Sequence, residues 1–242
     1  MAEEAILEET SGGKVFGVRL SARLSKHWLL LANLSAGFFA GLPWAAPALM
    51  ARGYSHLGRL IYAAYSIFCH QLPQRSYFLF GEKISYSMPE IVAVVRSDEF
   101  AVLRTFLGTP EMGYKVALAH RTLAIYTGVA MGGFLFALLR RWMRPWPLQW
   151  YLLFLAPVAL DGLTHMTTDM LPAITWRETN EWLQVLIGGW IHLPSAFYTG
   201  TGVGSLNWLL RTLTGGLFGL GTAWLVHPYL DQALRMIGQQ LE

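Results

Sequence analysis

Residues 122–139 read TLAIYTGVAMGGFLFALL, and the basic sequence RRWMR follows at residues 140–144. A helix needs about 20 mostly apolar residues to cross the hydrocarbon core of a membrane. Short loops rich in arginine and lysine are typical of the cytoplasmic side. The stretch therefore predicts a membrane-spanning helix whose last turn lies at the cytoplasm.

Three other segments have the same character: residues 28–50, 148–166 and 208–230. A fifth apolar segment, residues 57–68, is too short to span comfortably and contains Arg59. It is more typical of an interfacial or re-entrant helix. We therefore expect an all-α integral membrane helical bundle of four transmembrane helices plus one short helix.

Glycines recur four residues apart on the apolar segments, at 37 and 41, at 128 and 132, and at 215 and 219. Small residues at this spacing let helix backbones approach closely in a membrane. The pattern favours close helix contacts at all three pairs.

The charges predict the orientation of the helices. Four basic residues precede the first apolar segment: Lys14, Arg19, Arg23 and Lys26. They share the cytoplasmic side with residues 140–144 only if an even number of spans lies between them. We expect a multi-pass protein of the plasma membrane with both termini in the cytoplasm.

This topology divides the chain into a cytoplasmic N-terminal segment, residues 1–27, and a single membrane domain, residues 28–242. Extracytoplasmic loops are expected at about residues 51–121 and 167–207. A cleaved signal peptide is not expected, because the apolar stretch at 28–50 is longer than the usual 7–15 residues or so.

The composition supports a membrane class and excludes others. Charged residues make up 14% of the chain, against about 25% in soluble domains. The net charge is +3, but no basic run is interleaved with aromatic residues, so nucleic acid is not an expected partner. Membrane lipid is an expected partner. A single cysteine excludes an intramolecular disulfide.

The sequence CHQLPQRS at residues 69–76 places Cys69, His70, Gln71 and Arg75 next to a membrane interface. Adjacent side chains on a helix point about 100° apart. Pro73 is expected to end the local helix, which would let the thiol and the imidazole face one point. These four residues are the first candidates for a polar site.

Asp161 lies well inside the predicted span 148–166, and Thr164 and His165 share its helix face at positions i+3 and i+4. An ionisable residue within a span usually faces a protein interior or a wet cavity. Two interpretations stay open. Asp161 could pair with Arg211, or the Asp–His face could serve metal binding or proton transfer.

A metal site would draw on His70, His120, Asp161 and His165, with Cys69 as a further ligand, for one divalent transition metal. Structural metal sites usually need four ligands, so the loops would have to fold together.

A different possibility is anion binding. Arginine suits carboxylates and phosphates, and the arginines on this side could hold a lipid headgroup or an anionic substrate, or could simply snorkel; they are Arg75, Arg121, Arg177 and Arg211.

No catalytic signature such as Gly-x-Ser-x-Gly, a phosphate-binding glycine loop or His-Glu-x-x-His is present. The candidate polar site as a whole comprises Cys69, His70, Gln71, Arg75, His120, Arg121, Asp161, Thr164, His165 and Arg211.

Residues 69–76, followed by Phe80 and Gly81, resemble the hallmark of an integral membrane family known as domain of unknown function two thousand and eighty-five. Later elements of that family resemble DGLT at 161–164, RETN at 177–180 and RTLTGGLFG at 211–219, in the same order. The resemblance implies a helical membrane fold. It implies no particular activity, since the family has none that is settled.

One family motif has degenerated. Members carry Cys-x-Arg-Cys at the start of the next helix, where residues 119–126 read AHRTLAIY. A site built on three cysteines cannot exist here in that form, although His120 could replace one ligand. Two segments, residues 82–115 and 182–206, resemble insertions on the outer side.

A scaffold that lost thiols and gained outer loops is expected to act as an accessory or binding subunit of a membrane complex, with other membrane subunits as partners. A metal-dependent membrane enzyme or metal handler is the alternative. A small transporter is a weaker one, because we see no internal symmetry.

Overall fold

The computed structural model describes residues 2–171, 176–188 and 190–241, with side-chain environments from Ser25 onward except at 238, 240 and 241. Within these ranges the elements are α1 (Ala2–Ala51), α2 (Ser55–Tyr65), a 3-10 turn (Pro73–Arg75), β1 (Phe78–Leu79), α3 (Met88–Val95), α4 (Phe100–Thr105), β2 (Gly108–Thr109), β3 (Gly113–Lys115), α5 (His120–Leu139), α6 (Leu148–Met170), α7 (Trp176–Thr179), α8 (Glu181–Ile187), α9 (Ser195–Tyr198) and α10 (Leu206–Leu241).

Three helices are long and apolar enough to cross a membrane, over Ser25–Ala51, His120–Leu139 and Leu206–Ile237. They contain the predicted spans 28–50, 122–139 and 208–230. The predicted span 148–166 lies within α6, which is not among the three, so the count of four is not confirmed. Helix α1 continues from Ala2 without a break, so no structural boundary marks residue 27.

Helix α1 runs antiparallel to α5. Near one end, Asn33 Nδ2 donates to the carbonyl of Gly133 at 3.1 Å. Toward the other, the backbone N–H of Ala117, just before α5, donates to the carbonyl of Pro43 at 3.3 Å. The C-terminal end of α1 therefore lies beside the start of α5.

Helices α5 and α10 run parallel and pack through their glycines. A Cβ atom on Gly128 would lie 2.4 Å from the Gly216 carbonyl oxygen, and one on Gly219 would lie 2.1 Å from the Ile125 oxygen. The predicted contacts at 128/132 and 215/219 are confirmed. The prediction for Gly37 and Gly41 is wrong, because no atom of the described residues lies within 4 Å of a Cβ built at either position.

Helix α6 runs antiparallel to α10 along most of its length. The hydroxyls of Tyr151 and Thr222 lie 2.8 Å apart, and Nδ1 of His165 lies 3.2 Å from Nη2 of Arg211. The four long helices thus alternate in direction along the chain, and the starts of α5 and α10 meet the end of α6.

Replacing Gly219 with alanine should destabilise the bundle by about 1–3 kcal/mol or more, since the new Cβ meets backbone atoms that cannot move aside cheaply. Gly37→Ala is the matched control, because its Cβ meets open space and alanine favours the helix. Thermal unfolding in detergent would measure both. Equal melting temperatures for the two variants would contradict the α5–α10 packing.

The expectation of an all-α chain needs correction between α2 and α5, where a small antiparallel sheet has the strand order β1-β3-β2. Glycine makes the β2–β3 hairpin possible, because Gly108 and Gly113 have φ of 119° and 76°, which suits glycine alone. An apolar cluster including Phe78, Ile91 and Leu103 is buried beneath it. This loop is therefore a folded unit that positions the residues preceding α5.

Helix α2 is the short helix expected at residues 57–68. It packs on α1, where Met50 lies against Gly58 and the Tyr65 hydroxyl donates to the carbonyl of Phe39 at 2.8 Å. Its interfacial placement stays a prediction.

Candidate functional site: an arginine-lined cavity

A cavity of about 170 Å³ lies where α5 and α10 begin. The loop of residues 69–76 forms one wall, and the first turns of α5 and α10 form the others. Six of the residues predicted from the sequence line it: Cys69, His70, Gln71, Arg75, Arg121 and Arg211. We call this space the arginine cavity.

Hydrogen bonds to neighbouring elements stabilise the loop of residues 69–76. Gln71 has a left-handed φ of 55°, a conformation that costs a non-glycine residue free energy. Its side-chain Nε2 donates to the carbonyl of Tyr62 at 2.8 Å, and its own carbonyl accepts from Lys115 Nζ at 2.6 Å. Ser76 closes the loop by donating to the Leu72 carbonyl at 2.9 Å.

Lys115 is the anchor that sequence reasoning missed. Its side chain is fully buried, and Nζ donates to the carbonyls of Gln71 and Arg104, the latter at 3.0 Å. Burial lowers the pKa of Lys115 to about 7. A single lysine at the end of a three-residue strand gives no sequence pattern that marks it as interior.

Cys69 presents its sulfur to three donors. Sγ lies 3.4 Å from the backbone nitrogen of Gln71, 3.4 Å from that of Ala119 and 3.6 Å from Thr122 Oγ1. Ala119 caps the N-terminus of α5, so the sulfur also lies at the positive end of a helix dipole.

Asp161 is the buried centre of the cluster behind the cavity. Its Oδ2 accepts from Arg121 Nη2 at 2.6 Å, and its Oδ1 accepts from Arg177 Nη2 at 2.5 Å. One sequence interpretation paired Asp161 with Arg211. The structure instead gives it Arg121 and Arg177, because α7 brings Arg177 back onto α6.

His165 lies between two arginines. Nδ1 is 3.2 Å from Arg211 Nη2, and Nε2 is 3.0 Å from Arg177 Nη2. Arginine only donates, and a neutral imidazole has one acceptor nitrogen, so only one of these contacts is a hydrogen bond. The tautomer decides which of the two nitrogens accepts. Nε2 also lies 3.7 Å from Asp161 Oδ1.

Arg75 pairs with Asp169, whose Oδ1 lies 2.6 Å from Nη2. Asp169 is not among the residues predicted from the sequence. It follows Asp161 by eight residues and His165 by four, so it belongs to the same side of α6. This helical spacing was the sequence signal that could have identified Asp169 as a site residue.

Arg177 is positioned through its backbone. Its carbonyl accepts from Asn180 Nδ2 at 3.0 Å and from Asn207 Nδ2 at 2.7 Å. Asn180 also reaches the Tyr198 carbonyl at 2.6 Å. Asn207 lies in the first turn of α10, so its buried amide ties Arg177 to the start of that helix, while Asn180 ties it to the end of α9.

The cluster carries more positive than negative charge. The cluster contains two carboxylates, Asp161 and Asp169, and four arginines: Arg75, Arg121, Arg177 and Arg211. With His165 counted as neutral, its formal charge is +2. Arg211 is only 2% exposed. Its Nη1 has no partner among the described residues, although the residue lines the cavity.

Two predicted site residues point elsewhere. The Thr164 hydroxyl donates to the Leu160 carbonyl of its own helix at 2.7 Å. His120 is buried against the Tyr77 ring, with centroids 4.3 Å apart, and does not line the arginine cavity. His70 does line it, with its ring edge toward Phe100.

The predicted metal site has no support. In the part of the chain that the structure describes, no three His, Cys, Asp or Glu side chains are placed to hold an ion. Of the four predicted ligands, Asp161 and His165 are neighbours, and both are already engaged by arginines.

The fold and this site define a helical membrane protein with a polar cavity at one end of its bundle. Residues 111–225 match the family described as Predicted membrane protein (DUF2085), which confirms the resemblance seen in the sequence. The match includes Arg121, Asp161 and Arg211, and the loop of residues 69–76 precedes it.

An uncharacterised protein of Methanocaldococcus jannaschii is 31% identical over 108 residues, which is 44% of this chain and 49% of that relative. The chain thus matches about half the length of this curated relative. No solved structure matches the chain.

Proposed function

We propose that this membrane protein binds an anionic ligand, one carrying a phosphate or a carboxylate, in the arginine cavity. The observation that carries the proposal is the Arg211 guanidinium. It is buried, it faces the cavity, and its Nη1 lacks a partner among the described residues.

Burying an unpaired charge is costly, and proteins usually pair it or hydrogen-bond it. Asp161 and Asp169 offset only half of the four arginines. A phosphate or carboxylate would supply the missing charge and accept paired N–H bonds from guanidinium groups. The volume of about 170 Å³ suits a small anion or a headgroup, since one water needs only about 10–15 Å³ of such space.

The cavity is proposed to lie at the extracytoplasmic membrane surface. Helices α5 and α10 run parallel, so a chain that crosses in both must return between them. Helix α6 has 23 residues, or about 34 Å at 1.5 Å per residue, which exceeds a hydrocarbon core of about 30 Å. We infer that α6 is the fourth span, with both termini beside the basic residues 140–144.

This proposal develops the expectation from the sequence that the protein is an accessory or binding subunit. We still propose that the protein is an accessory subunit of a larger membrane complex, to which it would contribute the anion-binding site. The metal alternative is not carried forward, because Asp161 and His165 are already engaged by arginines.

Calorimetric titration of detergent-purified protein with inorganic phosphate tests the proposal. Hydrogen bonds to charged groups contribute about 1.5–3 kcal/mol, so Arg211→Gln should weaken binding about 10- to 100-fold. Arg235→Gln is the matched control on the same helix, since that side chain is 62% exposed and pairs with Asp231; its affinity should equal the parent's.

Nanodiscs containing phosphatidic acid separate the two sources of the anion. Tighter binding of the lipid than of free phosphate, with the same dependence on Arg211, would identify a headgroup site. Absence of binding by both probes, or equal affinity in all three proteins, would contradict the proposal.

A further inference from the structure

We propose that Cys69 is the nucleophile of the arginine cavity and attacks the phosphorus of a bound phosphate monoester, an inference that rests on the proposed anion site. The loop of residues 69–76 brings Cys69 and Arg75, with five residues between them, to the same cavity. Arg121 and Arg211 complete its positively charged wall.

The surroundings of the sulfur fit this role. The backbone N–H groups of Gln71 and Ala119 and the hydroxyl of Thr122 all point at Sγ, and α5 directs the positive end of its dipole there. The negatively charged sulfur is the nucleophilic form of cysteine. Three donors and a helix terminus surround the sulfur.

Arg211 independently marks a ligand beside the sulfur. Arg211 is 2% exposed and lines the cavity, and its Nη1 has no partner among the described residues. The four arginines exceed the two carboxylates of the cluster, so a formal positive charge remains beside the sulfur even when the sulfur is negatively charged. Arginines around a transferred phosphoryl group stabilise the charge that spreads over its oxygens.

The reaction balances without another cofactor. Sγ attacks phosphorus, an S–P bond forms, and the ester P–O bond breaks as the leaving oxygen takes a proton from His70, which lines the same cavity. Water then attacks phosphorus, the S–P bond breaks, and His70 accepts the proton from water. The products are an alcohol and inorganic phosphate.

The substrate class follows from the cavity. It holds the phosphoryl group, and the remainder of the ester extends toward the membrane surface or solvent. A phosphodiester carries one negative charge less and a second bulky substituent, so the monoester is preferred.

Purified full-length protein in detergent would be assayed with p-nitrophenyl phosphate. The parent and Arg235→Gln should hydrolyse it, whereas Cys69→Ala and Cys69→Ser should lose at least about 100-fold, in the range of general catalytic contributions. Acid-quenched parent protein should carry one phosphoryl group on the peptide that contains Cys69. Calorimetry of the two cysteine variants with inorganic phosphate checks that they remain folded and able to bind.

Retained phosphate binding without hydrolysis or a phosphorylated cysteine in the parent would overturn the nucleophile and leave the anion site standing. Equal hydrolysis by Cys69→Ser and the parent would also overturn it. Loss of phosphate binding in every protein, the parent included, would overturn this inference together with the proposed function.

Discussion

Asp161→Asn is expected to destabilise the protein by about 3–5 kcal/mol, the usual cost of removing one partner from a buried ion pair. The carboxylate accepts from Arg121 and Arg177, and the Arg177 side chain is only 4% exposed. Asparagine keeps the shape but leaves both guanidinium groups without their countercharge. Unfolding in detergent, followed by tryptophan fluorescence, measures the change.

Asp169→Asn is the matched control on the same helix. Asp169 also pairs with an arginine, but its side chain is 45% exposed, so its loss should cost no more than about 1 kcal/mol. Asp161→Asn combined with Arg177→Gln should recover part of the loss, since the two residues are coupled. Similar destabilisation by both single aspartate variants would contradict the assignment of Asp161 as the buried centre.

The second large effect concerns pH. The pKa of Lys115 is about 7 in the folded protein against an ordinary 10.5. Between these values the unfolded chain holds a proton that the folded chain releases, so stability rises with pH across this window. At about 1.4 kcal/mol per unit, the contribution approaches 5 kcal/mol as an order of magnitude.

Lys115→Met should flatten that slope between pH 7 and 10. At high pH the variant should also be less stable than the parent by about 1–3 kcal/mol for each carbonyl left unpaired, namely those of Gln71 and Arg104. Lys83→Met is the control, because Lys83 is 56% exposed. A parent-like slope in Lys115→Met would show that another group causes the pH dependence.

The length of the apolar segments predicted the four long helices, because each helix contains a long apolar run. Helix spacing placed Asp161 and His165 on one face. These features depend on residues close in sequence, which is why they could be read directly. The expectation that Pro73 ends the local helix needs correction, because α2 already ends at Tyr65 and Pro73 instead begins the 3-10 turn.

The partners in the site could not be read this way. Whether Asp161 meets Arg121, Arg177 or Arg211 depends on how α7 returns onto α6. The burial of Lys115 depends on a small sheet whose strands have two or three residues each, too short for an alternating pattern. For the same reason the predicted metal ligands are not brought together among the described residues, since His120 faces Tyr77 rather than the cavity.

Protection of Cys69 from alkylation tests the anion site most directly, because this single cysteine lines the arginine cavity. The rate of modification by N-ethylmaleimide would be followed by intact mass as inorganic phosphate is added. We predict that phosphate slows the reaction several-fold, with the midpoint found by calorimetry, and that Arg211→Gln shifts this midpoint to much higher phosphate. Phosphate binding with an unchanged rate of alkylation would contradict the account, because the anion would then lie elsewhere.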